Sequence, residues 1–327
     1  MSFQPRAIET AVVGMYSRHP SPSRQEKLQY ASNRMDLRLH CCGVDAEDYV
    51  EQRVLDAGCG TGEYSCWFAA KGSQATGIDL SKGSLSEARS FALQEGLEVR
   101  FEERSVLATD YPDESFDFVY CTGVLHHMDN PFAGLRELHR VLRTGGKILI
   151  SLYNSISFTP REIRRSSARF VGRGDEDRSV RWGKRLFPLT SRRLAQGKRI
   201  DSQSALYDYF GVPYQSCHSL GEVLDWFSAL DLEYCGAFPP LLLRDYPAMF
   251  REDSFRAVER VYPRRWLRHV GRFGHGKEMR REQPGLLSRA LVQTLWLVTG
   301  VPMSSMCGRK VRPHANDSKR DVADSPR

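Results

Sequence analysis

The 327-residue chain reads as an α/β fold built on a parallel sheet. An apolar strand end, Val54-Leu55-Asp56-Ala57, runs into the glycine-rich turn Gly58-Cys59-Gly60-Thr61-Gly62 and then into a helical pattern over Glu63 to Lys71. A second strand, Ala75-Thr76-Gly77-Ile78-Asp79, follows and ends in an acid. Glycines let a backbone turn with φ > 0 and approach a ligand closely. An acid at the second strand end is placed to accept hydrogen bonds from a ribose diol. Together these features predict a nucleoside-binding crevice at the carboxyl edge of the sheet.

The turn's spacing is Gly58-x-Gly60-x-Gly62 rather than the G-x-G-x-x-G that seats a pyrophosphate on a helix N-terminus. Asp56 beside it repels a pyrophosphate and attracts an ammonium or sulfonium group. The stretch resembles motif I of class I S-adenosylmethionine (SAM)-dependent methyltransferases, and Gly77-Ile78-Asp79-Leu80-Ser81 resembles their motif II. Phe116-Asp117-Phe118-Val119-Tyr120 reads as the fourth strand. It leads into Cys121-Thr122-Gly123-Val124-Leu125-His126-His127-Met128-Asp129-Asn130-Pro131, similar to the GVLHH-x-x-x-P stretch of many small-molecule methyltransferases. Phe132 to Val141 has helical periodicity with Leu135, Leu138, Val141 and Leu142 apolar. Arg143-Thr144-Gly145-Gly146-Lys147 is a turn, and Ile148 to Tyr153 is a fifth strand.

The resemblance implies a doubly wound, mostly parallel seven-stranded sheet, SAM as cofactor and no metal. It assigns cofactor contacts to Asp56, Gly58, Cys59, Gly60, Thr61, Gly62, Asp79 and Leu80, and further along to Ser105, Val106, Thr122 and Gly123. The position after the third strand is usually an acid that bonds the adenine amino group. Here the run is Phe101-Glu102-Glu103-Arg104-Ser105-Val106, so Ser105 fills that slot with a hydroxyl that still accepts a bond. Glu102 or Glu103 could substitute, or could simply lie on a solvated strand face. His126 and His127 sit at the lip of the crevice, where an imidazole suits general-base work on an oxygen or nitrogen acceptor, or caps the next helix.

Hydrophobic residues make up 41% of the chain, enough for a sizeable core. The eight cysteines show no C-x-x-C or metal-ligand spacing, which predicts free thiols in a reducing, cytoplasmic setting. The N-terminal run lacks a long apolar h-region. Lys and Arg number 16 against 21 Asp and Glu over residues 1–152, but 31 against 19 over residues 153–327. The basic half is suited to an anionic small molecule, nucleic acid or an anionic membrane surface, or is a solvated arginine-rich face.

Residues 1–50 read as an N-terminal helical extension or lid. In it Val12 to Tyr16 is apolar, Ser17 to Ser23 is turn-rich and Gln25 to Leu39 is helical. Similar methyltransferases fold such a segment over the cofactor, which would bring Tyr16 to the ligand; a packed aromatic anchor is the plainer reading. Residues 51–240 form the cofactor domain, with an insertion at 154–218 that caps the substrate pocket. It carries 13 Lys and Arg between Arg161 and Arg199. Tyr207 to Phe227 resembles a D-x-x-x-P-Y … H-S-x-x-E-V-x-x-W-F segment of a bacterial methyltransferase group, which nominates Asp208, Tyr209, Tyr214 and His218 as substrate contacts, against local capping and packing. Ser219-x-x-Glu222 is a capping box, and Leu232 to Phe238 a strand. Residues 241–308 read as a helical extension, with Asp253 to Val270 helical. Leu286 to Val298 is apolar but too short to span a bilayer; it is either a buried amphipathic helix or a membrane-surface one. Residues 309–327 read as a disordered tail.

Two functional classes follow: methyl transfer to a small molecule at O, N or C, and methylation of a macromolecule such as tRNA through the basic half. A SAM-binding module without catalysis is a third, disfavoured by the intact loop and Asp79. The small-molecule reading leads because no RNA-binding module is evident.

Overall fold

The computed structural model describes residues 5–19, 27–195, 202–242, 283–299, 301 and 303–312. Strands β1 (Arg53–Ala57), β2 (Gln74–Asp79), β3 (Arg100–Glu103), β4 (Phe116–Thr122) and β5 (Leu142–Tyr153) are parallel. They alternate with helices α3 (Glu63–Ala70), α4 (Lys82–Gln94) and α5 (Pro131–Val141). The sheet has seven strands in the order β3-β2-β1-β4-β5-β7-β6. The chain winds outward from β1 to β3, then returns to start again at β4 on the other side of β1. The crevice that opens at such a reversal lies beyond the carboxyl ends of the strands.

The strands hold because both faces are covered. Val54, Leu55, Phe118, Val119, Ile148 and Leu149 are all 0% exposed, the near-continuous apolar pattern of a sheet with helices on both sides. Phe68 from α3 packs on Phe118 and Tyr120 at ring distances of 5.7 and 5.6 Å, with Trp67 5.2 Å from Phe68. Helix starts are fixed by side chains that accept orphan N–H groups. Ser81 Oγ accepts from Ser84 N at 3.2 Å, Asn130 Oδ1 from Ala133 N at 2.9 Å and Asn154 Oδ1 from Ile156 N at 3.1 Å.

Helices α1 (Pro5–Arg18) and α2 (Lys27–Cys42) precede the sheet. Ser17 and Arg18, read from sequence as turn, belong to the last turn of α1. After β5 comes a helical cap of α6 (Ser155–Val171), α7 (Glu176–Leu186), α8 (Pro188–Ala195) and α9 (Ser202–Leu206), the last running into a wide turn over Tyr207–Gly211. This cap has its own small core, in which Met15 of α1 joins Ala168, Val180, Leu206 and Phe210. Gly183 is required there, since a Cβ would stand 2.5 Å from the Phe210 ring.

α10 (Leu220–Ala229) then leads to β6 (Leu232–Phe238), and α11 (Leu286–Thr299) to β7 (Met303–Lys310). β7 runs antiparallel between β5 and β6. It falls across the border where the sequence reading ended a helical extension and began a disordered tail. The run Met-Ser-Ser-Met-Cys-Gly-Arg-Lys lacks β-branched residues and alternation, so nothing local announces a strand. Small side chains are demanded by the packing instead: a Cβ on Gly308 would meet Phe227 at 2.9 Å and Leu232 at 3.1 Å. The helical expectation over Asp253 to Val270 and most of the tail lie outside the described residues. No helix among the described residues is long and apolar enough to cross a membrane.

Candidate active site

A cleft of about 390 Å³ opens where β1 and β4 part, within the size range of small-ligand sites. Its floor is the glycine turn. Gly58, Gly60 and Gly62 have φ of +76°, +54° and +82°. Gly58 is needed twice over, because a Cβ would sit 2.2 Å from Val124 Cγ2. Around Gly60 a Cβ would meet nothing within 4 Å, because that position faces the open cleft. Asp79 ties the turn to the end of β2. Its Oδ2 accepts from Gly60 N at 3.0 Å and its Oδ1 from Ser81 N at 2.8 Å. Burial pushes its carboxyl up, and the backbone N–H groups of Ser81, Gly60 and Leu80 pull it back. The carboxylate still keeps acceptor capacity for a diol.

Gly58, Gly60, Asp79, Leu80, Val106, Thr122 and Gly123 line the cleft. Other residues nominated with them lie beneath or beside it. Asp56 is 2% exposed and accepts from Ser65 Oγ at 2.6 Å under the turn; burial raises its carboxyl to about 7. Cys59 packs downward with Leu85, Ala88 and Phe101. Thr61 Oγ1 donates to Glu63 at 3.0 Å. Gly62 starts α3 against Ala88. Ser105 is off the lining, and its Oγ donates to Glu9 Oε1 at 3.0 Å. The motif marks loop architecture and ligand contact in one string.

The two histidines part company. They occupy a single 3₁₀ turn, Leu125–His127, in which successive side chains point about 120° apart. His126 is 0% exposed, lies tilted against the Tyr153 ring at 3.8 Å and is not on the cleft lining; its ring nitrogens have no partner among the described residues. His127 lines the cleft. Its Nδ1 lies 3.1 Å from the carbonyl of Tyr214, which only accepts, so Nδ1 carries the proton. Nε2 is then a bare lone pair, 3.3 Å from the Tyr16 hydroxyl. Burial lowers the imidazole to about 4, against the bond to Tyr214 that raises it.

Tyr16 comes from α1 and Asp208 from the wide turn after α9. Tyr16 donates to Asp208 Oδ1 at 3.1 Å, and both line the cleft. Tyr209, Tyr214 and His218 do not line it. Tyr209 lies behind Arg161, with the guanidinium 4.7 Å from its ring centre. Tyr214 serves through its carbonyl, and His218 bonds Ser216 at 2.8 Å and Glu222 at 2.9 Å.

Sequence reasoning missed Arg161, Glu9 and Tyr153, all on the lining. Arg161 Nη2 donates to the Asp208 carbonyl at 2.8 Å and reaches its carboxylate at 3.4 Å. The guanidinium lies 5.0 Å from the Phe158 ring centre and 5.3 Å from Tyr153. Its Nε is buried without a partner among the described residues. No single-residue signal distinguished it among 13 basic residues of the insertion. No group of three or more potential metal ligands occurs among the described residues.

Residues 55–150 match the methyltransferase domain family. "Uncharacterized methyltransferase YcgJ" of Bacillus subtilis is 32% identical over 136 residues, covering 41% of this chain and 52% of that one. A "Ubiquinone biosynthesis O-methyltransferase" of Aeromonas salmonicida is 37% identical over 105 residues, covering 32% and 44%. "O-methyltransferase resE" of Aspergillus sclerotiorum is 34% identical over 134 residues, covering 40% and 49%. The chain thus spans about half the length of the curated relatives it matches. The structure of PKMT2 from Rickettsia typhi in complex with AdoHcy has the same fold, with a TM-score of 0.53 at 14% identity, covering 90% of this chain and 55% of that one. With its sheet order, glycine turn and Asp79, the chain carries a class I SAM-dependent methyltransferase domain.

Proposed function

We propose that the protein binds SAM in this cleft and methylates a hydroxyl on a small, ring-bearing molecule. The residues fit the cofactor. Asp79 offers two acceptors to a ribose diol, and the open side of Gly60 leaves room for a ligand a Cβ would displace. When bound, SAM supplies a methyl already activated on a sulfonium, so transfer needs alignment and dryness more than covalent help.

The observation that carries the acceptor assignment is the pair Tyr16 and His127. One phenolic proton stands between two acceptors, Asp208 Oδ1 at 3.1 Å and His127 Nε2 at 3.3 Å. It can serve only one of them. With Tyr16 on Asp208, Nε2 is open to accept the proton of an incoming hydroxyl. A base held near 4 is weak, which favours a phenolic hydroxyl over an aliphatic one. Arg161, on the cleft lining, offers a cationic donor to an anionic or carbonyl substituent of the acceptor. Two relatives named as O-methyltransferases support an oxygen acceptor.

The macromolecule reading loses support from the cap. Arg165 donates to the Val212 carbonyl at 2.8 Å and pairs with Glu162 at 2.7 Å, and Arg169 donates to the Gly211 carbonyl at 3.0 Å. These arginines fasten the cap and face no phosphate. The test is transfer of labelled methyl from SAM to a panel of phenols and catechols, some carrying a carboxylate. Label in an extractable small product, lost in His127→Asn, supports the reading. Label only in RNA or protein overturns it.

A further inference from the structure

We infer that Glu9, on the helix covering the cleft, reads the adenine amino group of the cofactor in place of the acid that the loop after β3 lacks; this rests on the SAM-binding reading above. Glu9, Val12, Val13 and Tyr16 all line the cleft from α1. Their spacing puts them on one helix face. At 1.5 Å per residue the face spans about 10 Å from Glu9 to Tyr16. One end meets His127 and Asp208, where the acceptor sits. The other end meets Ser105, whose hydroxyl donates to Glu9 Oε1 at 3.0 Å.

That far end is where a base belongs. Asp79, at the end of β2, fixes the ribose. β3 is the next strand outward, so a base extending past the ribose runs toward the loop after β3, flanked by Leu80, Arg104 and Val106 on the lining. An exocyclic amino group there needs an acceptor. Ser105 already gives its proton to Glu9 and accepts from Leu107 N at 3.1 Å. Among the described residues only Oε1 of Glu9 is engaged, which leaves Oε2 to accept. The nearby cation does not neutralise it: Arg104 binds Glu102 at 2.5 Å and the Thr109 carbonyl at 2.7 Å, with its guanidinium 4.5 Å from the Tyr111 ring centre. The carboxylate missing from the loop is therefore delivered by the lid. The same helix, α1, carries Tyr16 to the acceptor end.

The test is calorimetry with S-adenosylhomocysteine and with S-inosylhomocysteine, in which an oxo group replaces the amino group. The full-length wild type is expected to prefer the adenosyl ligand by about 10- to 100-fold, the range of a hydrogen bond to a charged group. Glu9→Ala is expected to remove that preference by weakening the adenosyl ligand, with the inosyl ligand little changed. Equal weakening of both ligands would mean that Glu9 only holds the lid, and would overturn the assignment. Preference lost in Ser105→Ala but kept in Glu9→Ala would move the reading to Ser105 and also overturn it. Failure of the wild type to bind either ligand would instead refute the SAM site itself.

Discussion

His127 donates Nδ1–H to a carbonyl and keeps Nε2 free, so its tautomer is set by one backbone atom. Its neighbour His126 has the same side chain and the opposite fate, because a 3₁₀ turn sends it into the core against Tyr153. Sequence could nominate the pair but not choose within it, since the choice depends on the phase of one turn. Removing a general base costs typically 10²–10⁴ in rate. His127→Asn should therefore lower kcat by that order while S-adenosylhomocysteine affinity, measured by calorimetry, stays unchanged. The pH profile carries a sign. The imidazole must be neutral to accept a proton, so kcat/KM falls as pH drops through the free-enzyme value. Burial holds that value at about 4, against 6.5 for a solvated histidine. An acid limb near 4 is expected in the profile of kcat/KM, and a limb near 6.5 would assign the base elsewhere.

At the scale of elements, the glycine turn is the part most legible in sequence. Its three glycines all take positive φ, and the strand, turn and helix fall where the pattern put them. The structure adds that they are not equivalent. Gly58 is walled in by Val124, whereas Gly60 opens on the cleft. Gly60→Val should fold with a loss of about 2 kcal/mol for the left-handed conformation, and its melting temperature should not rise with S-adenosylhomocysteine. Normal stabilisation by the ligand would show that Gly60 does not face it. Least legible was β7. A strand of serines, cysteine and glycine has no period of its own, and only the space left under Phe227 and Leu232 selects it. The apolar segment ending at Tyr16 was legible and forms part of α1, but Glu9 and Arg161 hold long-range partners that no local pattern records.

Across the whole molecule, charge is segregated, with the basic excess after residue 152. The structure divides that excess in two. Arg161, Arg165 and Arg169 turn inward to fasten the cap, while Arg178, Arg181, Arg192 and Arg193 face solvent. Bulk tRNA should accordingly bind weakly. Replacing the four outward arginines with Ala should leave transfer to a small acceptor unchanged in a labelled-methyl assay. Tight tRNA binding that falls steeply with salt, and is lost in that variant, would restore the macromolecule reading.

If the carboxyl edge of this sheet holds SAM through Asp79, titration calorimetry with S-adenosylhomocysteine reads it out. Wild type should bind at micromolar scale. Asp79→Ala removes two diol acceptors and the tie to Gly60, and should cost about 2–4 kcal/mol in binding, with a circular dichroism spectrum that shows the fold retained. Equal affinity of the two proteins would contradict the claim.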